Sequence, residues 1–461
     1  MPPSSTSTTA PQAATYTQGP IGRTMIRTGF AMLAGSLAVH GYHLADAWFI
    51  GHLPGAEPLA AMGYTQPLVM LVGCLLRGFT GGLMITTAHA IGAGDAPRAR
   101  RLVAAGIVLN VILGIALMLL GIRAGRPVLH LFGATGEALS LALGYMDIWY
   151  AGILTAALSM MGNDLLITVG DARMASAAMI LGMALNIPLD ALLIFGAAIP
   201  GTPWTVPAMG IRGAALATVL AQGVGMAFVL WLLHRRHRML AFRGVTLRPL
   251  LSAWRTISRY AIPSILGMML MPAGQAVLTR VTAAFGDIAV AATAAIGRLE
   301  GIAFVFPMAL GISLSPMVSQ NYGARRYDRI HQCRRFAMRF ALLFLGTMSV
   351  LYAFAAPVLA RAFSSDPEVE RLMVLGLRII PWGFAFVEIH RYTGMFFTGC
   401  AKPAAAAWFN AFRIVGLLIP FSLLAMAFHW LPGLFLARVA ADLLAGATGW
   451  YLTHRLTKSL A

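Results

Sequence analysis

Twelve apolar runs, each longer than twenty residues, constrain this chain more than any other feature of its sequence. A helix needs about 20 apolar residues to cross a bilayer, whereas a barrel strand needs only about ten. Backbone groups inside a bilayer find no water, so each spanning segment must satisfy them internally. The runs therefore predict an all-α integral membrane protein of about twelve transmembrane helices. They cover residues 29–50, 59–91, 102–122, 137–169, 174–197, 211–233, 257–284, 287–320, 336–359, 372–398, 404–427 and 431–453.

The composition agrees with lipid as the surroundings of most side chains. Of the 461 residues, 59% are hydrophobic and 11% are charged, whereas about 25% of residues are charged in a typical soluble domain. The net charge of +18 would suggest nucleic acid in a soluble protein. In a membrane protein the placement of basic residues matters more, so we expect a lipid bilayer and no nucleic-acid partner.

The positions of the 34 Lys and Arg residues predict the orientation of the chain. If the N-terminus is inside, 22 of them fall on inner loops and helix ends and four fall on the outer side. Basic residues concentrate in cytoplasmic loops, so we expect a multi-pass protein of the cell inner membrane with both termini cytoplasmic. Residues 1–22 are rich in Ser, Thr, Pro and Ala and lack an apolar run. They predict a disordered cytoplasmic tail rather than a cleaved signal peptide.

The second half of the chain repeats short motifs of the first half at offsets of 231 or 229 residues. The matched glycines are Gly55 with Gly286, Gly92 with Gly323, and Gly170 with Gly399. Six spans return the chain to its starting side, so the two copies are parallel, a plan found in transporters that bind substrate between two halves. The predicted units are an N-lobe at 23–233, a cytoplasmic linker at 234–256 and a C-lobe at 257–461.

Acidic residues inside apolar runs are the main candidates for function, because a carboxylate at membrane depth is costly. Asp46 lies near the end of the first run, and Asp190 lies in the fifth run with Asn186 one turn before it. The i, i+4 spacing places the amide and the carboxylate on one helix face. Pro188 between them lacks an N–H and frees a backbone carbonyl. This group is suited to hold a proton or a small cation.

Charged residues also occur inside the runs of the second half. Arg298 and Glu300 are two residues apart and point in different directions on a helix, whereas Glu388 and Arg391 are close enough to pair. The i, i+4 spacing of Arg438 and Asp442 predicts a structural ion pair. Arg298, Glu300 and Glu388 are candidates for a coupling or substrate site in the C-lobe.

Several other chemistries lack their sequence signatures. No segment matches the phosphate-binding motif GxxxxGK[ST], and the chain has only two lysines. The metalloprotease motif HExxH and the esterase motif GxSxG do not occur either. We therefore expect no enzyme activity, no metal site and no cofactor other than H⁺ or Na⁺ as a coupling ion.

Four segments of the chain are similar to the multidrug and toxic compound extrusion family. They are ADAWFIGHL with GAEPLAAMG, AIGAGDAPRAR, GDARMASAAMILGMALNIPLD and SQNYGARRYDRI. The resemblance extends over nearly the whole chain after the tail. It implies two six-helix lobes in a V-shaped arrangement and export driven by an inward proton or sodium gradient.

The resemblance also implies roles for particular residues. In one branch of the family, positions that look like Asp46, Asn186 and Asp190 form a cation site in the N-lobe. Another branch uses an acidic residue of the seventh helix, but residues 257–279 contain no acid. Glu300 is then the candidate substitute, and Glu388 resembles an acidic position of the tenth helix.

These observations favour a cation-coupled antiporter that exports small amphipathic organic cations or drugs and works as a monomer. A dedicated metabolite exporter and a flippase for lipid-linked precursors are the alternatives. A flippase is expected to line its cavity with cations for pyrophosphate. The arginines clearly inside runs are Arg77, Arg298, Arg391, Arg413 and Arg438, too few to decide between these functions. A membrane enzyme or receptor would not explain the repeat.

Overall fold

The computed structural model describes residues 15–198, 205–240, 247–364 and 366–460. Within these residues the chain forms twelve long helical segments joined by short turns. They are α1 (Ile21–Gly51), α2 (Glu57–Gly92), α3 (Ala96–Leu131), α4 (Gly136–Ala151 and Ile153–Thr168), α5 (Ala172–Phe195), α6 (Ile211–Arg235), α7 (Leu247–Ala283), α8 (Asp287–Gly323), α9 (Tyr327–Phe363), α10 (Pro367–Gly399), α11 (Pro403–Ala427) and α12 (Leu431–Leu460). Between α5 and α6, strand β1 (Ala197–Ala198) pairs antiparallel with β2 (Thr205–Val206).

The lengths of these helices fit a membrane-spanning bundle. Of the helices in the described residues, ten are long and apolar enough to cross a bilayer. The two parts of α4 form another span, bent by 53° at Gly152, where a Cβ atom would press into the Val219 side chain of α6. Helix α1 has 31 residues and is about 46 Å long at 1.5 Å per residue. The prediction of an all-α membrane fold with about twelve long helices is confirmed, and in the described residues all of them except α1 meet the length and hydropathy expected of a span.

The helices form two halves, the N-half (α1–α6) and the C-half (α7–α12). Of the predicted linker at 234–256, the first two residues belong to α6, which ends at Arg235, and residues 247–256 belong to α7, which begins at Leu247. Residues 247–256 are helical because their apolar side chains recur at helical spacing. Trp254 in this stretch donates its indole N–H to the carbonyl oxygen of Ala105 in α3 at 2.9 Å. Residues 241–246 of the predicted linker lie outside the described residues.

The two halves approach each other very closely where α2 and α8 end. A Cβ atom on Gly92 would fall against the backbone of Gln320, and a Cβ atom on Gly323 would fall against the backbone of His89. Gly92 and Gly323 are the repeat-related glycines predicted from the sequence, and His89 and Gln320 are separated by the same 231 residues. We call these four residues the closed end of the molecule.

Hydrogen bonds join the halves at the closed end in a nearly symmetric way. His89 donates from Nε2 to the carbonyl oxygen of Gly399, the last residue of α10, at 2.7 Å. Gln320 donates from Nε2 to the carbonyl oxygen of Thr168 at the end of α4, also at 2.7 Å. Each half therefore caps the last turn of a helix in the other half, which satisfies carbonyl groups that a helix end leaves without a partner.

The residues just before α1 also lie at the closed end, and we call residues 15–20 the N-terminal segment. Thr15–Thr17 form one turn of 3₁₀ helix, and Tyr16 is only 2% exposed. The Tyr16 hydroxyl donates to the carbonyl oxygen of Ile167 in the N-half at 3.0 Å. Asn321 of the C-half donates from Nδ2 to the carbonyl oxygen of Tyr16 at 3.1 Å. The segment thus connects both halves.

This packing corrects part of the predicted disordered tail at 1–22. Residues 15–22 are ordered, since Tyr16 is buried in a cluster of apolar residues and α1 begins at Ile21. The prediction failed here because it relied on the polar composition of the stretch, whereas one aromatic residue, Tyr16, is enough to pack it against the helices. Residues 1–14 lie outside the described residues, and their disorder stays a prediction.

Candidate functional site

A cavity of about 990 Å³ lies between the two halves. Its N-half wall comes from α1, α2, α4, α5 and α6, and its C-half wall from α7, α8, α10, α11 and α12. Much of the lining is flexible and polarizable, because methionine is frequent in it. The lining methionines are Met32, Met62, Met70, Met84, Met160, Met179, Met183, Met268, Met271 and Met395. Such side chains adapt to ligands of different shapes.

The structure brings Asp46, Asn186 and Asp190 together in the N-half wall, and we call them the acid trio. With its amide nitrogen facing the carboxyl groups, Asn186 donates to Asp46 Oδ1 at 3.2 Å and to Asp190 Oδ2 at 3.1 Å. The other end of the amide lies 3.5 Å from Thr218 Oγ1 of α6. Asp46 and Asn186 line the cavity, whereas Asp190 lies behind them with no exposed surface.

The two carboxyl groups of the acid trio lie close to each other, because each places an oxygen against the same Asn186 amide nitrogen, at 3.2 Å for Asp46 and 3.1 Å for Asp190. Two carboxyl groups so close repel each other when both are charged, so a proton or cation held between them is favourable. No ion pair within the described ranges includes either carboxyl group. Asp190 Oδ1 is buried without a hydrogen-bond partner. A bound proton or cation would therefore reduce the repulsion between the two carboxyl groups, and Asp190 Oδ1 is an oxygen that could bind it.

Three arginines line the C-half wall, Arg391, Arg413 and Arg438, and we call them the arginine wall. Arg413 donates from Nε and Nη2 to Asp442 Oδ1 at 2.9 and 2.6 Å. Asp442 is 1% exposed and does not line the cavity. The carboxylate therefore holds the guanidinium from behind.

Arg438 pairs with Glu300 of α8, which corrects the predicted pair of Arg438 with Asp442. The i, i+4 spacing allows that pair, but Arg413 of α11 reaches Asp442 and Glu300 reaches Arg438. Interhelical partners thus replace the local one. The result is a chain of alternating charges that ties α8, α11 and α12 together. Glu300, a candidate for coupling, is therefore compensated by an arginine.

Glu388 and Arg391 form the ion pair that their spacing predicts, with Nη1 and Oε2 3.0 Å apart. Glu388 has no exposed surface, so only Arg391 of this pair reaches the cavity. The Arg391 guanidinium also lies 5.2 Å from the centroid of the Phe304 ring, in range for a cation–π contact. Arg298 is exposed and is not among the residues that line the cavity. The structure does not bring it to Glu300 or Glu388.

A further carboxyl group lies in the N-half wall. Asp164 near the end of α4 accepts a hydrogen bond from Thr80 Oγ1 of α2 at 2.6 Å. Arg77, one turn before Thr80, lines the same cavity, and no ion pair in the described part of the chain includes it.

The sequence did not predict the roles of Thr218 and Tyr16. A lone threonine in an apolar run and a tyrosine in a polar tail have no pattern that distinguishes them from other residues of the same type.

Comparisons with known proteins agree with this geometry. A family model described as MatE matches residues 31–192 and 263–424, so one copy falls on each half. The chain is 31% identical to the FAD transporter of Shewanella oneidensis over 95% of each chain. It is 24% identical to the probable multidrug resistance protein NorM of Thermotoga maritima over 74% of this chain and 71% of that one.

Solved structures show the same architecture. The Vibrio cholerae MATE transporter VcmN in its bent form superposes with a TM-score of 0.88 at 27% identity, covering 95% of this chain and 97% of that one. An outward-facing multidrug resistance transporter of the MOP superfamily superposes with a TM-score of 0.87 at 24% identity over 99% of each chain. This second likeness concerns the fold alone.

Proposed function

Because this chain belongs to the multidrug and toxic compound extrusion (MatE) family of membrane transporters, we propose that it is a cation-coupled antiporter. It exports small amphipathic organic compounds through the cavity between its halves. The observation that carries the proposal is the acid trio, where two carboxyl groups and an amide meet at the cavity wall with no basic partner among the residues that the structure describes. Both termini are placed in the cytoplasm, and one chain of two halves is sufficient for transport.

Coupling in this proposal depends on the different cation affinity of two arrangements of the halves. A proton or Na⁺ bound at Asp46 and Asp190 removes the repulsion between them and lets α1 lie close to α5. When the cation leaves, the two charges separate α1 from α5 and change the shape of the N-half wall. A ligand shifts a conformational equilibrium only as far as its affinity differs between the two states. We favour H⁺, because the trio offers few oxygen ligands beyond its two carboxyl groups.

Two substrate classes fit different parts of the cavity. Amphipathic organic cations and drugs, the substrates expected from the sequence, suit the methionine-rich walls and the acidic groups of the N-half. FAD is a second candidate, favoured by the 31%-identical relative that carries the name FAD transporter and by the arginines of the C-half. A lipid-linked precursor is a third, because its pyrophosphate would require the same arginines.

Purified protein in liposomes tests coupling. Vesicles are loaded with ethidium or with FAD, and a pH gradient or a Na⁺ gradient is applied separately. We expect the pH gradient alone to drive transport, and Asp46→Asn to abolish it. Asp287→Asn is a matched control, because Asp287 is an exposed carboxyl group at the start of α8. If folded Asp46→Asn protein transports as well as wild type does, the trio is not the coupling site.

A further inference from the structure

The C-half wall of the cavity differs in character from the N-half wall. Its cavity-lining charges are three guanidinium groups, from α10, α11 and α12, and the Glu300 carboxylate paired with Arg438, whereas the carboxyl groups of Glu388 and Asp442 are withdrawn from the cavity. The side chains of Arg391, Arg413 and Arg438 keep 28%, 12% and 26% of their surface exposed. A ligand in the cavity therefore meets guanidinium groups before it meets most of their carboxylates.

The carboxylates behind the wall fix the directions of these guanidinium groups. A guanidinium carries five N–H donors in a rigid fork. Arg413 uses Nε and Nη2 on Asp442, which leaves its remaining donors for another acceptor. Arg391 lies between Glu388 and the Phe304 ring, so charge attraction and the ring position it, although its buried Nη1 makes no hydrogen bond in the described residues. Such arginines bind an anion with little loss of side-chain freedom.

We propose that the arginine wall binds the phosphate group of an amphipathic organophosphate, whose apolar ring system lies against the methionines of the cavity. Three guanidinium groups on adjacent helices offer more N–H donors than the two oxygens of a ligand carboxylate can accept. A phosphate group has more acceptor oxygens and therefore matches these donors better than a carboxylate does. The ring system would face Met268, Met271 and Met395 of the same half. This inference rests on the proposed export through the cavity and names its substrate class.

The flavins riboflavin, FMN and FAD are suitable probes, because they share one ring system and differ in the number of their phosphate groups. We expect purified wild-type protein to bind FMN and FAD at least about tenfold more tightly than riboflavin, measured by flavin fluorescence anisotropy. This preference corresponds to about one charge-assisted hydrogen bond. Liposome export should follow the same order.

Paired substitutions remove a guanidinium without leaving its carboxylate alone. Arg391→Gln with Glu388→Gln, and separately Arg413→Gln with Asp442→Asn, should weaken FMN binding about tenfold or more and leave riboflavin binding unchanged. Arg298→Gln is the matched control, since this in-span arginine does not line the cavity. It should leave the binding of both flavins unchanged.

The outcomes separate this inference from the proposed function. Wild-type protein that exports ethidium and riboflavin but not FMN or FAD would overturn the phosphate inference and leave the antiporter standing. Equal weakening of riboflavin and FMN in the paired variants would also overturn it, because the arginines would then only support the fold. Transport of none of the four compounds by folded protein would overturn both. Farnesyl pyrophosphate bound more tightly than FAD would support the phosphate site and indicate a lipid-linked substrate.

Discussion

Replacing Tyr16 with alanine should open the closed end of the molecule, because this side chain fills the space between the two halves. An aromatic side chain buries about 150–250 Å², which corresponds to about 4–6 kcal/mol at about 25 cal/mol per Å². Only the contacts with one half are lost when the halves separate, so we assign about half of this energy, about 2–3 kcal/mol, to closure. At about 1.4 kcal/mol per tenfold, the population of the open form should rise about 30- to 150-fold.

Cys400 is the reporter for this change. It lies in the turn after α10, is 1% exposed and belongs to the same apolar cluster as Tyr16. Burial raises the pKa of its thiol to about 12, so the reactive thiolate is nearly absent at pH 8 in the closed form. Opening should return the pKa toward its usual range and raise the thiolate fraction about a thousandfold. Cys400 therefore reacts through the open form, and the rate of its maleimide labelling, read by peptide mass spectrometry, should rise by the same factor as the population of that form.

Two companion variants make the test specific. Tyr16→Phe removes only the hydrogen bond to Ile167, worth about 1 kcal/mol, and should raise labelling about fivefold. Gln18→Ala is the control, because Gln18 has an exposed side chain and uses only its backbone oxygen, which accepts from Arg329 at 3.2 Å. If Tyr16→Ala leaves Cys400 as inert as in wild type while the protein stays folded, the N-terminal segment does not hold the halves together.

Two further substitutions test the contacts between and within the halves. Gly323→Ala places a Cβ atom against the His89 backbone and should therefore also raise the labelling of Cys400. Gly346→Ala is the control, because a Cβ atom there meets open space, and it should leave the labelling unchanged. Equal labelling of the two variants would contradict the close approach of the halves at Gly323. Asp442→Ala leaves the Arg413 guanidinium without its carboxylate at the cavity wall and should cost about 3 kcal/mol of stability or less, seen as a lower apparent unfolding temperature in detergent. The double variant Asp442→Asn with Arg413→Gln should lose clearly less stability than Asp442→Ala, because it leaves no charge without a partner. A double variant as unstable as Asp442→Ala would argue against the ion pair of Arg413 with Asp442.

Hydropathy predicted the helices well and their ends less well. The run at 59–91 corresponds to α2 (Glu57–Gly92), but the run at 336–359 covers only part of α9 (Tyr327–Phe363). Lipid requires apolar residues only across its own thickness. The first turns of α9 carry the polar stretch YDRIHQCRR, which is helical although it is not apolar.

Predicting the site required long-range information that local spacing lacks. The i, i+4 rule placed Asn186 and Asp190 on one face correctly, and the family resemblance added Asp46 from another helix. The same rule failed for Arg438 and Asp442, because each carboxylate and each arginine found a partner on a different helix. Spacing along one helix states which side chains are able to meet, whereas packing of the helices decides which of them do.

The internal repeat duplicated the scaffold of this protein without duplicating its chemistry. Glycines with no room for a side chain occupy equivalent places at the closed end, at positions 92 and 323. The offsets of 231 and 229 residues that relate the halves carry the acid trio onto Val277, Val415 and Ile419, none of which titrates. In the C-half, the three guanidinium groups of the arginine wall are instead each paired with one carboxylate. If cation and substrate bind to opposite halves in this way, neither needs to displace the other from a shared site. Their coupling must then pass through the movement of the halves about the closed end.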